Sequence, residues 1–319
     1  MRRALLGGLA CATVVAAALS AQTAPGDAAQ QPWQIRDNVF MLAGPGANTT
    51  IQTGRDGVLI VDPQANTTSL SVLAAVRRLS GSPVRFIVNT TIDADHLTGN
   101  EAVAKAGQTL AGGNTRPATV VGTGGAPIFA HENLLNRLSA SGASAASLPT
   151  DSYFVKQKDL FVNGEAVQLL HVPAAHTDGD TMVFFRRSDV ISAGDVFTPD
   201  RYPLIDIARG GSINGLLAGI NYILELAVPD FNEEGGTMIV PGHGRLGDES
   251  DVSDYRDMVT IVRDRVLDMV KKKMTLEQVK AAKPTRDYDG VYARPEHTGD
   301  MFVEVVYRSL TPPTGARPR

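Results

Sequence analysis

Residues 89–100 read Asn89-Thr90-Thr91-Ile92-Asp93-Ala94-Asp95-His96-Leu97-Thr98-Gly99-Asn100, directly after the apolar run Phe86-Ile87-Val88. A β-branched run that ends in Asp93, Asp95 and His96 reads as a strand delivering metal-binding side chains into the turn beyond it. On a helix Asp93 and Asp95 would point ~200° apart and could not grip one cation. A tight strand-to-helix turn lets them converge, and Gly99 with Asn100 supplies the glycine and cap expected where a helix begins.

The same arrangement recurs further along the chain. Leu169-Leu170-His171-Val172 runs into His176, Val190-Ile191-Ser192-Ala193-Gly194 into Asp195, and Met238-Ile239-Val240-Pro241-Gly242 into His243. In layered α/β folds the loops beyond strand ends gather side chains from distant positions around a ligand. One cleft lined by Asp93, Asp95, His96, His176, Asp195 and His243 is implied. Three carboxylates in a partly dry cleft raise each other's pKa unless a cation lies between them. Nitrogen and oxygen donors without sulfur suit Zn²⁺, Fe or Mn²⁺, and the share of carboxylates leans towards the harder ions.

Further strands are expected at Val39 to Ala43, Thr49 to Gln52, Gly57 to Val61, Thr119 to Val121 and Thr181 to Phe185. Gly54-Arg55-Asp56-Gly57, Asn163-Gly164 and Arg187-Ser188-Asp189 are turn signals for antiparallel hairpins. Helical patterns occupy Thr68 to Leu79, Asn100 to Ala106, Ala126 to Leu138, Ile213 to Leu226, Ser253 to Lys272, Thr275 to Ala282 and Met301 to Ser309. Strand groups alternating with helices make a layered α/β sandwich with mixed sheets.

The four motifs together resemble the metallo-β-lactamase superfamily of metallohydrolases, whose signature His-x-His-x-Asp-His follows a strand and is completed by a His, a bridging Asp and a final His. The resemblance covers about Gln34 to Gly244. It implies a four-layered αβ/βα sandwich of two mixed sheets flanked by helices, with the site at the sheets' edge. It also implies a metal-activated water acting on an ester, lactone, thioester, phosphoester or amide bond of a small-molecule substrate. One or two ions, Zn²⁺ foremost with Mn²⁺ or Fe as alternatives, would be held by Asp93, Asp95, His96, His176, Asp195 and His243. Asp95 would carry the proton, and His176 would donate to the developing oxyanion. The signature's first two histidines are Thr91 and Asp93 here. The first metal site has therefore lost one imidazole and exchanged another for a carboxylate, while the second keeps Asp95, His96 and His243 with Asp195 able to bridge. That departure also sustains a second expectation, a pseudoenzyme or binding protein on the same fold.

Composition bounds the rest. With 319 residues, 43% of them hydrophobic, and a net charge of −4, the chain has the make-up of a globular protein and no electrostatic case for a nucleic-acid partner. Arg2 and Arg3 before the Ala-rich run Ala4 to Ala18 read as a secretory signal over residues 1–21, and export to a periplasm or the exterior follows. The run is shorter than the ~20 residues of a stable span, so no membrane insertion is expected once the signal is removed. A polar spacer over 22–33, one domain over 34–310 and a Pro-rich disordered tail over 311–319 complete the organisation. Cys11, the chain's one cysteine, lies in the signal, which leaves no thiol for disulfides, nucleophiles or thiolate metal sites.

Several tempting features carry no function. His131-Glu132 lacks the second histidine of a zinc-protease helix, since Leu135 stands in its place. His171 fits an alternating strand, His297 a polar loop, and Lys271 to Lys273 a solvated helix end. Gly122-Thr123-Gly124-Gly125 lacks the Lys-Ser/Thr of a phosphate loop.

Overall fold

The computed structural model describes residues 30–109, 125–228 and 235–311. The expected signal, most of the spacer, the tail past Thr311, the strand at Thr119 to Val121 and Gly122 to Gly124 lie outside the described residues.

Among the described residues the first sheet runs in sequence order. It comprises β1 (Pro32–Arg36), β2 (Val39–Leu42), β3 (Thr49–Gln52), β4 (Val58–Val61), β5 (Val84–Val88), β6 (Ile128–His131) and β7 (Asp151–Tyr153). The first four strands pair antiparallel and the last four parallel, β4 belonging to both sets. The second sheet holds β8 (Gln157–Val162), β9 (Glu165–Val172), β10 (Asp180–Phe185), β11 (Val190–Gly194) and β12 (Met238–Pro241), antiparallel except for the β11/β12 pair. The helices are α1 (Ser69–Leu79), α2 (Ala94–Leu97), α3 (Asn100–Ala106), α4 (Glu132–Ala140), α5 (Ile213–Leu226), α6 (Glu249–Lys271), α7 (Leu276–Ala281), α8 (Asp289–Tyr292) and α9 (Gly299–Leu310).

Period-two alternation builds four layers from these elements. Leu59 and Val61 of β4, Val167 and Leu169 of β9, and Val183 and Phe185 of β10 meet in the core between the sheets. Their alternates on β4, Val58 and Ile60, face Val72 and Val76 of α1 and Val103 of α3. Leu170, Val172, Met182 and Phe184 face α5, α6 and α9 on the other side. Strands buried on both faces read as continuous apolar runs, which is why they were visible in the sequence. The β8/β9 hairpin turns on Asn163 (φ 54°) and Gly164 (φ 85°), the double positive φ that suits a two-residue loop to strand twist.

The structure corrects the sequence reading in four places. The segment Ala126 to Leu138 is not one helix: Ile128–His131 is strand β6, held between β5 and β7, and α4 starts only at Glu132. Pairing within the sheet overrides the helical pattern there, and Pro127 immediately precedes the strand. Three strands, β1, β7 and β8, went unrecognised because their burial alternates weakly or they span only three residues. Strand β1 therefore begins at Pro32, within the residues expected as spacer. Helix α6 begins at Glu249, ahead of the expected Ser253, because Asp248 and Asp251 form a reciprocal capping box. No described helix is long and apolar enough to cross a membrane.

At the end of β6 the Nδ1 of His131 accepts the Asn133 amide at 3.3 Å. Its ring stacks on His171 of β9, centroids 3.5 Å apart and planes 3° from parallel. Burial, reinforced by His171, pushes His131 down to about 4 from its ordinary 6.5. The unfolded chain then binds a proton that the folded chain refuses, so stability present above pH 6.5 is lost as pH falls towards 4. We expect urea-unfolding stability to drop by up to about 3 kcal/mol from this group across that window. His131→Asn keeps an acceptor for the cap and removes the titration, so its stability should decline less steeply over the same pH range. Equal slopes in the two proteins would refute the assignment.

Candidate metal centre

Strands β4 and β5 run parallel in one sheet, β11 and β12 in the other, and β9 is aligned with β11 through β10. Their carboxyl ends share one edge, and each delivers a polar residue there. All six residues singled out in the sequence meet at that edge, in two clusters. Asp95, His96 and His243 form one, and Asp93, His176 and Asp195 form the other. Asp93 and Asp95 thus fall in different clusters. Asp93 is the extended residue ahead of α2 (φ −68°, ψ 141°), whereas Asp95 and His96 lie in that helix's one turn.

In the cluster of Asp95, the Nε2 atoms of His96 and His243 stand 3.4 Å apart. Asp195 Oδ1 lies 3.4 Å from the first and 3.5 Å from the second. Asp95 Oδ2 lies 3.5 Å from His243 Nε2. Donors ~2.1 Å from a tetrahedral ion sit about 3.4 Å from each other, so this set has the spacing of a coordination shell. Asp195 Oδ1 is buried and has no hydrogen-bond partner, a costly state that a cation would relieve. A divalent ion therefore fits these four residues.

Their orientation is fixed from behind. The Nδ1 of His243 donates to the Gly46 carbonyl at 3.0 Å, which turns Nε2 towards the cluster. His96 Nδ1 donates to Asp62 Oδ2 at 2.8 Å. Asp62 itself is 2% exposed and also accepts the Thr90 amide at 2.8 Å and the Thr90 hydroxyl at 2.5 Å. Asn48 pins the loop carrying His243 through Nδ2 hydrogen bonds to the Pro241 and Gly244 carbonyls, both 3.0 Å, and through its backbone N–H, which donates to the Gly242 carbonyl at 2.8 Å. Gly242 has to be glycine, since a Cβ there would sit 2.1 Å from Asp195 Oδ1.

The cluster of Asp93 is organised differently. His176 Nδ1 donates to the Leu204 carbonyl and its Nε2 to Asp93 Oδ2, both at 3.0 Å. Arg209 Nη1 donates to Asp93 Oδ1 at 2.9 Å. Asp195 Oδ2 is 4.0 Å from His176 Nε2. Thr91, 1% exposed, leaves its hydroxyl without a partner. The oxyanion donation expected of His176 finds its Nε2 facing Asp93 in a residue only 3% exposed.

Charge in both clusters is strongly coupled. Burial opposes the charged form of His96, but Asp195 and Asp62 outweigh it and hold the imidazole well above its ordinary value. Burial likewise lowers His176, yet Asp93 and Asp195 raise it to about 10. Burial raises Asp195, which His96, His243 and His176 nevertheless hold far below the carboxylate range. Asp93 is also lowered, His176 overcoming its burial.

One side of the centre is open. The Asp95 side chain is 39% exposed and that of His243 12%, and a small pocket lined by Asp195, Thr198, Arg201, Leu204 and His243 lies beside them. Leu204 also lines an apolar groove of about 190 Å³ with Tyr202, Pro203, Met301 and Phe302.

Two residues escaped the sequence reading. Asp62 follows the strand Val58–Val61, so the rule that found the other site residues, an acidic or imidazole side chain after an apolar strand, would have found it too. Arg209 meets Asp93 across 116 residues, and nothing local marks it.

The two sheets flanked by helices form an αβ/βα sandwich with two His/Asp clusters that could hold metal ions at the shared edge. The profile of the metallo-beta-lactamase superfamily matches residues 43–263, and the chain belongs to that superfamily. Most members of that superfamily are hydrolases, and the fold usually binds divalent metals. Among solved structures, the chain is similar to the stereoselective inverting sec-alkylsulfatase Pisa1 from Pseudomonas sp., at a TM-score of 0.63 and 14% identity over 91% of this chain. It spans about half of that enzyme, 52% of its length. A metallo-beta-lactamase from Pontibacter korlensis aligns at a TM-score of 0.56 and 15% identity, covering 72% of this chain and 99% of its own. The metallo-beta-lactamase DIM-1 aligns at 0.54 and 14% identity, covering 72% and 97%. None of the curated proteins matches.

Proposed function

We propose that this protein is a metal-dependent hydrolase in which Asp95, His96, Asp195 and His243 hold the catalytic ion, Zn²⁺ foremost. The observation that carries the reading is that both imidazole Nε2 atoms stand 3.4–3.5 Å from a buried Asp195 oxygen that has no hydrogen-bond partner, with Asp95 Oδ2 3.5 Å from His243 Nε2. A divalent ion supplies Lewis acidity there, polarising the scissile oxygen and lowering the pKa of water from ~15.7 towards ~7. Asp95, the most exposed of the four, orients the attacking water, accepts its proton and passes that proton to the leaving group. His96 and Asp195, nearly inaccessible, serve as ligands alone. Asp62 and the Gly46 carbonyl keep the two imidazoles aimed.

The pocket wall favours an anionic substrate. Arg201 lines it beside His243 and Asp195, with Asp200 at 3.5 Å as its ion-pair partner. The groove beyond Leu204 suits an apolar chain. Alkyl sulfates and phosphoesters therefore head the substrate panel, followed by lactones, thioesters, carboxyl esters and β-lactams. Turnover of at least one class by the Zn²⁺- or Mn²⁺-loaded protein, abolished by chelation and restored by the ion, is the expected result. A protein that binds the ion yet turns over none of these would favour the binding-protein reading, to which Thr91 and the engaged Asp93 lend support.

A further inference from the structure

The geometry points to Arg209 as the resident cation of the Asp93 cluster, so that this protein holds one metal ion although its donor atoms form two groups. The inference rests on the reading of Asp95, His96, Asp195 and His243 as the metal site. In that site both imidazole Nε2 atoms and Asp195 Oδ1 stand 3.4–3.5 Å apart, with Asp95 Oδ2 3.5 Å from His243 Nε2, the spacing of a shell around an ion. In the other cluster the spacing is that of hydrogen bonds: 3.0 Å from His176 Nε2 to Asp93 Oδ2, and 2.9 Å from Arg209 Nη1 to Asp93 Oδ1. Both oxygens of Asp93 are thereby taken by protein donors. These residues do not fit a second ion as they stand.

Arg209 is built into that position. Asp206 Oδ1 accepts its amide at 2.9 Å, and Asp206 Oδ2 approaches Nη1 at 3.4 Å. Its own carbonyl accepts the Asp178 amide at 3.0 Å, and Gly210, at φ 87°, ends the 3₁₀ turn immediately after it. A guanidinium keeps its charge at any physiological pH, so unlike an imidazole it does not vacate a site by losing a proton. A divalent ion entering beside Asp93 would have to break the charged hydrogen bond and displace a guanidinium whose side chain is 44% exposed. Thr91 stands at the position where the superfamily signature has a histidine, and a threonine hydroxyl is a far weaker metal donor than an imidazole. The positive charge that a first ion would bring is thus supplied by the chain itself.

The test is metal stoichiometry of the full chain, by elemental analysis and native mass spectrometry after saturation with Zn²⁺ and dialysis, backed by Co²⁺ absorption titration. Wild type should retain one equivalent and Arg209→Ala two, while Arg209→Lys, which keeps a positive charge, should retain one. Asp93→Asn should leave the tightly held ion's affinity within about threefold of wild type, a check that holds even if Arg209→Ala does not fold. Two equivalents in wild type would overturn this inference and leave the hydrolase reading standing. So would a single equivalent in a folded Arg209→Ala, or tenfold weaker binding in Asp93→Asn. No retained metal in wild type would overturn both.

Discussion

His243→Ala should lose the tightly held ion and lower turnover by about 10³-fold or more, with little change in folding stability. The imidazole closes the open side of the centre: its Nε2 lies 3.4 Å from that of His96 and 3.5 Å from both Asp195 Oδ1 and Asp95 Oδ2. Removing it takes a neutral nitrogen donor from among carboxylates, and the three remaining ligands no longer enclose an ion. Its side chain lies at the mouth of the site, 12% exposed, and apart from its contacts within the cluster it is held by the Nδ1 donation to the Gly46 carbonyl at 3.0 Å. The check is metal content, thermal melting and turnover on the same preparation. Retained metal and turnover at wild-type levels would mean that the chemistry lies elsewhere.

Asp62→Ala should act through both stability and metal affinity. Asp62 accepts from Thr90 twice and from His96 Nδ1, all within 2.5–2.8 Å and all buried. Deleting one partner of a buried, hydrogen-bonded charge pair costs about 3–5 kcal/mol because the other group remains buried and uncompensated. The imidazole also loses the acceptor that fixes its proton on Nδ1, and outer-shell losses of this kind weaken metal binding about 10–100-fold. Asp62→Asn keeps the shape and separates the two effects: it should destabilise less while still weakening the metal, since its amide can present a donor where Nδ1 needs an acceptor. Asp62 sits at φ 55°, where Asn is tolerated better than most residues. Urea unfolding with metal titration measures both terms, and wild-type values in Asp62→Ala would contradict the assigned role.

The sequence reading reached the site because buried parallel strands announce themselves. Phe86 to Val88, Val190 to Ala193 and Met238 to Val240 are short apolar runs, and the residue types that follow them are those that bind metals. What remained hidden is nonlocal. Ile128–His131 carries a helical pattern and becomes a strand because β5 and β7 flank it. Asp151–Tyr153 is too short for any period to show. Asp93 and Asp95 share a turn, yet the extended backbone at Asp93 sends it to His176 and Arg209, which the spacing alone does not reveal. The exchange of two signature histidines for Thr91 and Asp93 was plain in the sequence. Its consequence, an arginine from the connection between β11 and β12 pairing with Asp93, required the fold.

The most direct test of the whole account is anomalous diffraction at the zinc edge from crystals of the Zn²⁺-loaded protein. A single peak enclosed by Asp95, His96, Asp195 and His243, with Arg209 still on Asp93, is the expected result. No peak at all, or a peak between Asp93 and His176 with none at His243, would contradict it.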